Sequence, residues 1–285
     1  MRFGVTIFST DLTIDPAELA FEAEARGFDS IWLPEHTHIP VSRETPPPGG
    51  EDELPEHYAR SLDPLIALAT AASRTSTIRL GTGVMLPAQR EPIVTAKAVA
   101  TLDHLSGGRV SLGIGFGWNR EELADHGVAF ADRRAVCREH ILAMRQLWTA
   151  EEASVDGTHV SFGPSWSWPK PVGRVPVLIG GGDGPKIFGA LVDYADGWIP
   201  IGRAGLTAAI PRLHAALSDA GRDPGGFEVI PFGSLPTPDK LDHFERIGVT
   251  ECVFRLPGAT RDEVLPELDR QAELVASRRQ PGVSP

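Results

Sequence analysis

The stretch RLGTGVMLPAQREPIVTAKAVATLDHLSGGRVSLGIGFGWNREEL, residues Arg79–Leu123, decides the fold of this chain. It predicts a strand, a helix that begins at Glu91-Pro92, a second strand over Val110–Ile114, and a glycine-rich turn that opens into another helix. Both strands run into clusters of small residues. Parallel strands that end in this way build a binding pocket at their carboxyl ends.

The same alternation of strand and helix extends over the other parts of the 285 residues. Such alternation implies parallel pairing through right-handed crossovers. We therefore expect an α/β protein with a single (β/α)8 TIM barrel as its one domain, residues 1–285, and an open doubly wound sheet is the alternative. The eight predicted strands are 2–8, 30–34, 78–85, 110–114, 177–179, 197–201, 227–232 and 251–256.

Two segments are too long to be simple connections between a strand and a helix. Residues 37–62, after the second strand, contain five prolines, two adjacent glycines and many charges. Residues 151–175, before the fifth strand, combine an alternating pattern around Asp156-Gly157, typical of a hairpin, with a loop rich in proline and tryptophan. We expect both segments to be insertions on the barrel.

Composition excludes several classes of function. A net charge of −11 argues against a nucleic-acid partner, and no apolar run approaches the roughly 18 residues that a membrane span needs. The start of the chain, MRFGVTIFS, reads as a strand and not as a signal peptide, so we expect a cytoplasmic protein. Cys137 and Cys252 are predicted to be buried, and no residues have the spacing of metal ligands.

In a barrel, chemistry takes place where the strands end at their carboxyl side. Glu35 and His36 follow the second strand, and a carboxylate beside an imidazole can tune a proton donor near neutral pH. The alternative is a hydrogen-bonded loop pair without a chemical role. The other candidate binding residues at strand ends are Gly83, Val84, Met85, Gly115, Gly117, Trp118, Gly180, Gly181, Gly182 and Trp198.

Two glycine clusters predict different parts of a ligand site. Gly115 and Gly117 would let the backbone approach a flat ring system, or would simply form a tight turn. The segment Ile179–Lys186, IGGGDGPK, places three glycines before a helix, and free N–H groups at a helix start bind anions such as phosphate. Trp118 and Trp198 could face a planar ligand or fill the core.

Seven segments in order resemble a known family: RFGVTIF, AEARGFDSIWLPEH, GTGVMLP, TLDHLSGGR, LGIGFGWNREEL, PVLIGGGDGPK and DYADGWIP. Over residues 1–205 the chain resembles the bacterial luciferase-like monooxygenases, in particular the oxidoreductases that depend on the deazaflavin coenzyme F-420. The resemblance implies a barrel that binds this coenzyme, or FMN, at the strand ends. It also implies a non-proline cis peptide around Gly83-Val84-Met85, a phosphate at Gly180–Gly182, and Glu35 and His36 near the ring.

The resemblance implies hydride transfer between coenzyme F-420 and a small organic substrate, with His36 exchanging a proton and Glu35 orienting it. The alternatives are an FMN-dependent monooxygenase that activates oxygen and a flavin-binding barrel without turnover. An unrelated barrel for phosphate substrates, such as an isomerase or aldolase, would call for a strand-end lysine or paired carboxylates, and no predicted strand end has a lysine. A homodimer is compatible with this reading.

The chain departs from the pattern at one informative place. Some deazaflavin dehydrogenases have a glutamate directly after the Gly-x-Gly of strand four, where this chain has Trp118, and its acidic residues Glu121 and Glu122 come later. This difference argues against a sugar-phosphate substrate and favours a less polar one. The acidic tail of the deazaflavin would need basic residues, for which Arg43, Arg90 and Arg203 are the candidates.

Overall fold

Eight parallel strands form the centre of the protein, which a computed structural model describes over residues 1–48, 53–201 and 205–279. Two further strands form a separate antiparallel hairpin. The strands are β1 (Arg2–Thr6), β2 (Ser30–Leu33), β3 (Arg79–Met85), β4 (Val110–Ile114), the hairpin strands β5 (Ala153–Asp156) and β6 (Ser161–Ser165), β7 (Val177–Gly181), β8 (Gly197–Pro200), β9 (Glu228–Val229) and β10 (Glu251–Arg255).

The parallel strands pair in the order β10-β1-β2-β3-β4-β7-β8-β9. The two ends of this order are joined by backbone hydrogen bonds from Thr250 N–H to the Val229 carbonyl, 3.0 Å, and from Val253 N–H to the Pro231 carbonyl, 3.1 Å. The strands therefore close into a barrel, which confirms the predicted TIM-barrel fold. Their carboxyl ends meet at one rim.

Helices surround the barrel, and sequence signals indicate where most of them begin. Five of them begin at a proline, which is favoured at the first helical position because a backbone N–H there would have no acceptor within the helix. The helices are α1 (Pro16–Ala25), α2 (Pro64–Arg74), α3 (Pro92–Ser106), α4 (Arg120–Asp125), α5 (Arg133–Thr149), α6 (Pro185–Tyr194), α7 (Leu206–Asp219), α8 (Pro238–Arg246) and α9 (Arg261–Arg279). In the described residues, no helix is both long and apolar enough to cross a membrane.

Two strands are shorter than predicted by more than one residue. The strand predicted over 227–232 is reduced to β9, since Pro231 lacks the N–H that a longer parallel strand would need. The first strand ends at Thr6, and Phe8 turns away to pack on the rings of His57 and Tyr58, at centroid distances of 4.2 and 5.0 Å. The backbone after β1 therefore leads into the first insertion.

The barrel interior is filled by side chains. Trp32, Leu178, Ile199, Ile230 and Val253 are buried in one cluster inside the ring. A second, larger core lies between the strands and the helices. Because the interior is packed, ligands have access only above the strand ends.

Both predicted insertions lie where the sequence placed them. The first contains a short 3₁₀ helix, Glu56–Arg60, and it is tied to the end of β1 by a bridge between Thr10 and Ser61. The second contains the β5–β6 hairpin, which packs against α5.

Candidate active site

A cavity of about 760 Å³ opens at the carboxyl rim of the barrel. This volume is within the range typical of cofactor and small-molecule sites. The first insertion contributes Pro48, His57 and Tyr58 to its wall. The predicted site residues that line it are Glu35, His36, Gly83, Val84, Gly115, Gly117, Trp118, Gly180, Gly181 and Gly182.

His36 is the best-placed side chain for proton transfer. Its side chain is only 7% exposed, and its Nδ1 lies 2.9 and 3.2 Å from the two carboxylate oxygens of Glu122. The indole N–H of Trp118 points at the other ring nitrogen, Nε2, at 3.3 Å. Since an ionised carboxylate only accepts and an indole only donates, these partners assign the proton to Nδ1 and leave Nε2 as an acceptor.

Glu122 reaches His36 because α4 begins beside it. Asn119 caps this helix by accepting the backbone N–H of Glu122 at 3.4 Å, and the Glu122 side chain, which is fully buried, also accepts the N–H of Thr37 at 3.3 Å. The pattern Asn119-x-x-Glu122 is that of a capping box, a signal that sequence reasoning could have used. The predicted orienting role of Glu35 is wrong in this structure, and Glu122 occupies that position instead.

Glu35 is buried, and its two carboxylate oxygens accept hydrogen bonds from residues that follow β3. One accepts the backbone N–H of Leu86 at 2.7 Å, and the other accepts Nε of Arg90 at 2.6 Å. Burial raises the pKa of Glu35, although the charge of Arg90 opposes this shift. Arg90 also pairs with Asp63 at 2.5 Å, so it is not available for a ligand tail. Glu35 therefore stabilises the backbone below the cavity.

The floor of the cavity is built around Val84. A cis peptide joins Gly83 to Val84, as the family resemblance implied. A Cβ atom added to Gly115 would lie 2.6 Å from Val84 Cγ2, and one added to Gly180 would lie 3.0 Å from Val84 Cγ1. The two glycines thus make room for the Val84 side chain, and Gly180 also makes room for Ile201 Cδ1, at 2.9 Å, so this part of the cavity lining is apolar.

Met85 and Trp198 do not line the cavity, so their predicted contact with a ligand is wrong. Both are fully buried in the core outside the strands. The indole N–H of Trp198 donates to the carbonyl of Gly181 at 2.9 Å, and its ring packs edge-on against Phe188. Successive side chains of a strand face opposite sides, and these two face the helices. Trp198 therefore supports the glycine turn from behind.

The Gly180–Gly182 turn has the features of an anion site. It leads into α6, whose N-cap residue, Gly184, offers no side chain to the N–H groups of the first turn. A Cβ at Gly182 would meet no atom within 4 Å, so this part of the turn is open. At Gly181 the same atom would lie 2.5 Å from Ile187 Cδ1. The open side of the turn is thus at Gly182.

Sequence reasoning missed two cationic residues of the cavity, Arg133 and Arg134, in the first turn of α5. Arg255, which the sequence places at the end of the eighth predicted strand, lines the cavity as well. Of the arginines expected to meet an acidic tail, Arg43 does not line the cavity and Arg203 lies outside the described residues.

The wall beside His36 is aromatic. The Tyr58 ring lies 5.2 Å from the His36 ring and 5.8 Å from the Trp118 ring. Phe8 and Phe232 also line the cavity. Among the described residues, the His, Cys, Asp and Glu side chains form no group that could hold a metal ion. The cavity beside His36 is therefore lined mainly by apolar and aromatic side chains.

Comparisons with known proteins agree with this architecture. An uncharacterized protein of Mycobacterium tuberculosis is 45% identical over 280 residues, 97% of this chain and 99% of that protein. An F-420-dependent glucose-6-phosphate dehydrogenase of Amycolatopsis mediterranei is 32% identical over 209 residues, 72% of this chain and 58% of that enzyme. A monooxygenase of Streptomyces bottropensis has the same fold, with a TM-score of 0.81, 21% identity, and coverage of 98% of this chain and 100% of that one. Residues 13–240 match the luciferase-like monooxygenase family, and the chain belongs to that family.

Proposed function

We propose that this protein is an oxidoreductase that transfers a hydride between coenzyme F-420 and a small, largely apolar alcohol or carbonyl compound. The observation that carries the proposal is the His36–Glu122 pair, which presents Nε2 of a buried imidazole to a cavity suited to a planar ring. The F-420-dependent relative described above supports the choice of coenzyme.

The residues of the cavity fit a deazaflavin. The apolar lining around Val84 suits a fused ring, and the open turn at Gly182 suits the phosphate of its side chain. When bound, the deazaflavin supplies the two-electron hydride carrier that the protein's own side chains lack. Gly115 and Gly180 contribute by making room for the Val84 side chain.

His36 would handle the proton that accompanies the hydride. In the direction of alcohol oxidation, Nε2 accepts the hydroxyl proton, and the Glu122 carboxylate stabilises the imidazolium that forms. In the direction of carbonyl reduction, the same imidazolium returns the proton to the substrate oxygen. Because the Trp118 N–H donates to Nε2, a substrate oxygen can reach Nε2 only by displacing the Trp118 N–H.

The lining of the cavity favours one class of substrate. Phe8, Tyr58, Trp118 and Phe232 surround the space near His36 with ring surfaces. Such a wall stabilises an apolar or aromatic substrate through burial of its surface, and it offers little to a sugar. We therefore expect secondary alcohols or ketones with apolar substituents to be better substrates than sugar phosphates.

The competing function is oxygen activation with FMN, which the description of the family favours. Titration of the purified protein with each coenzyme, followed by fluorescence, separates the two. We expect micromolar binding of F-420, weaker binding of FMN, and a change in F-420 absorbance when an alcohol or ketone panel is added. FMN that co-purifies tightly, with oxygen uptake upon its reduction and no F-420 binding, would overturn the proposal.

A further inference from the structure

Two neighbouring arginines line the cavity without a carboxylate partner. Nε of Arg133 and Nη1 of Arg134 are buried and lack a hydrogen-bond acceptor among residues 1–48, 53–201 and 205–279. Within those same ranges Nη1 of Arg133 donates to the backbone carbonyl of Phe130, and neither guanidinium pairs with a carboxylate. Their guanidinium groups lie over aromatic rings instead, Arg133 over Phe130 at 3.5 Å and Arg134 over Phe116 at 4.2 Å.

This placement is electrostatically unfavourable for the protein alone. Both arginines lie in the first turn of the 17-residue helix α5, where the helix dipole is positive, and no acidic residue accompanies them in that turn. Burial, followed by the charges of Arg134 and Arg120, lowers the pKa of Arg133. A chain with a net charge of −11 has many carboxylates, yet none is paired with this group in the described structure. An anionic ligand would relieve both the repulsion and the unmet donors.

The arginine pair and the glycine turn follow two neighbouring strands of the barrel. The pair begins α5, after β4, whereas the Gly180–Gly182 turn follows β7, and both line the same cavity. We infer that Arg133 and Arg134 form a second anion subsite, which binds a carboxylate or phosphate group of the ligand while the glycine turn binds the cofactor phosphate. This inference rests on the proposed function.

Two ligands could supply the second anionic group. The deazaflavin carries an acidic tail beyond its phosphate, and the substrate could itself carry a carboxylate or phosphate. Guanidinium groups bind both anions through charge-assisted hydrogen bonds. The subsite is therefore defined by its chemistry, and the probes must distinguish the two sources.

The test compares Arg133→Gln, Arg134→Gln and the double variant with Arg138→Gln. Arg138 is the matched control because it lies one turn further along α5 and pairs with Asp193 at 2.5 Å, away from the cavity. Affinity is measured by fluorescence for F-420 with its tail, for the same deazaflavin phosphate without the tail, and for FMN. Binding of inorganic phosphate to the protein loaded with the deazaflavin phosphate is measured by thermal shift.

We expect each cavity variant to weaken binding of the tailed coenzyme about tenfold or more, with the control unchanged, if the tail supplies the anion. Unchanged coenzyme affinity with loss of the phosphate-dependent thermal shift also supports the subsite and assigns it to the substrate. Equal losses for the tailed and tail-free coenzymes would overturn it, because the arginines would then hold the cofactor phosphate. Unchanged affinity for all coenzymes and for inorganic phosphate would overturn it as well.

Two readouts keep this result separate from folding and from the choice of coenzyme. Removing positive charge from a helix start relieves repulsion with the dipole, so the ligand-free variants should melt at or above the wild-type temperature. A structural role would lower that temperature instead. If the wild type binds FMN but not F-420, the proposed function fails, and the phosphate experiment on the FMN-loaded protein still decides the subsite.

Discussion

The sharpest test of the site exchanges each of its two buried glutamates for glutamine. In Glu122→Gln, turnover should fall while the protein stays folded. In Glu35→Gln, stability should fall while turnover per folded molecule stays near normal. The structure requires this contrast because Glu122 contacts the imidazole of His36, whereas Glu35 contacts the backbone of Leu86 and the side chain of Arg90.

The loss for Glu122→Gln follows from the tautomer of His36. The Glu122 carboxylate accepts from Nδ1 at 2.9 Å, which leaves Nε2 unprotonated, so that it can accept the substrate proton once the substrate oxygen has replaced the Trp118 N–H. The amide NH₂ of glutamine would donate to Nδ1 and place the ring proton on Nε2, so the imidazole could no longer act as a base there. We expect kcat to fall on the order of 10²–10⁴-fold, or about 3–5 kcal/mol of transition-state stabilisation, and His36→Ala to fall in the same range.

The loss for Glu35→Gln follows from a buried ion pair. Removing one partner of such a pair leaves the other charge uncompensated, here Arg90, which would keep only Asp63. Glutamine can still accept the N–H of Leu86, so the cost should be below that of a full deletion, about 1–3 kcal/mol. For a protein of this size that corresponds to a drop of roughly 2–8 °C in melting temperature.

Both variants are measured on the same preparations, with kcat from F-420 absorbance and melting temperature from circular dichroism. Cofactor affinity is recorded for each, so that a lost cofactor is not mistaken for lost chemistry. The reasoning is refuted if Glu122→Gln keeps wild-type kcat while Glu35→Gln loses it without melting earlier. That outcome would restore Glu35 as the partner of His36 during turnover.

Two further predictions concern the anion turn and the first insertion. Gly182→Asp should weaken cofactor binding about tenfold or more, because it adds a negative charge where backbone N–H groups would face the phosphate. Gly163→Asp, at an equally open glycine outside the cavity, should not weaken it. Equal titration curves for the two variants would mean that the phosphate binds elsewhere. Glu121 accepts the hydroxyl of Thr45 and the backbone N–H groups of Glu44 and Thr45, and these bonds lower its pKa from 4.5 to about 2. The contribution of the ionised Glu121 carboxylate to stability is therefore complete above pH 4.5 and is lost as the pH falls toward 2. The difference in unfolding free energy between wild type and Glu121→Gln, measured by urea unfolding, should shrink over that interval. A difference independent of pH would contradict the assignment.

The fold could be predicted from the sequence because its signals are local and repeated. Each strand of the barrel is a short apolar run, and five of the nine helices in the described residues begin at a proline, as at Asp15-Pro16 and Asp63-Pro64. Parallel pairing then follows from the alternation itself. The glycine clusters at the strand ends were placed correctly for the same reason, since the carboxyl ends of all strands meet at one rim.

The partners within the site could not be predicted, because they depend on contacts between distant residues. Glu35 and His36 are adjacent in sequence, but adjacent side chains of an extended backbone point in opposite directions, and these two reach different elements. The carboxylate that orients His36 comes from Glu122, on a helix that begins after β4. Met85 is turned away from the cavity for the same reason, since it follows Val84, which lines the cavity, and Trp198 alternates with Ile199, which is buried inside the barrel.

The short helix α4 contacts both the first insertion and His36. Its first turn contains two successive glutamates with different tasks: Glu121 binds the backbone of residues 44–45, and Glu122 binds His36. Both therefore depend on the same helix start, which Asn119 caps. A cap substitution such as Asn119→Ala, worth about 1 kcal/mol, acts on both contacts together. The acidic pair, which lies beyond Gly117 and not directly after it, is thus placed on a helix that contacts the insertion and the imidazole at once.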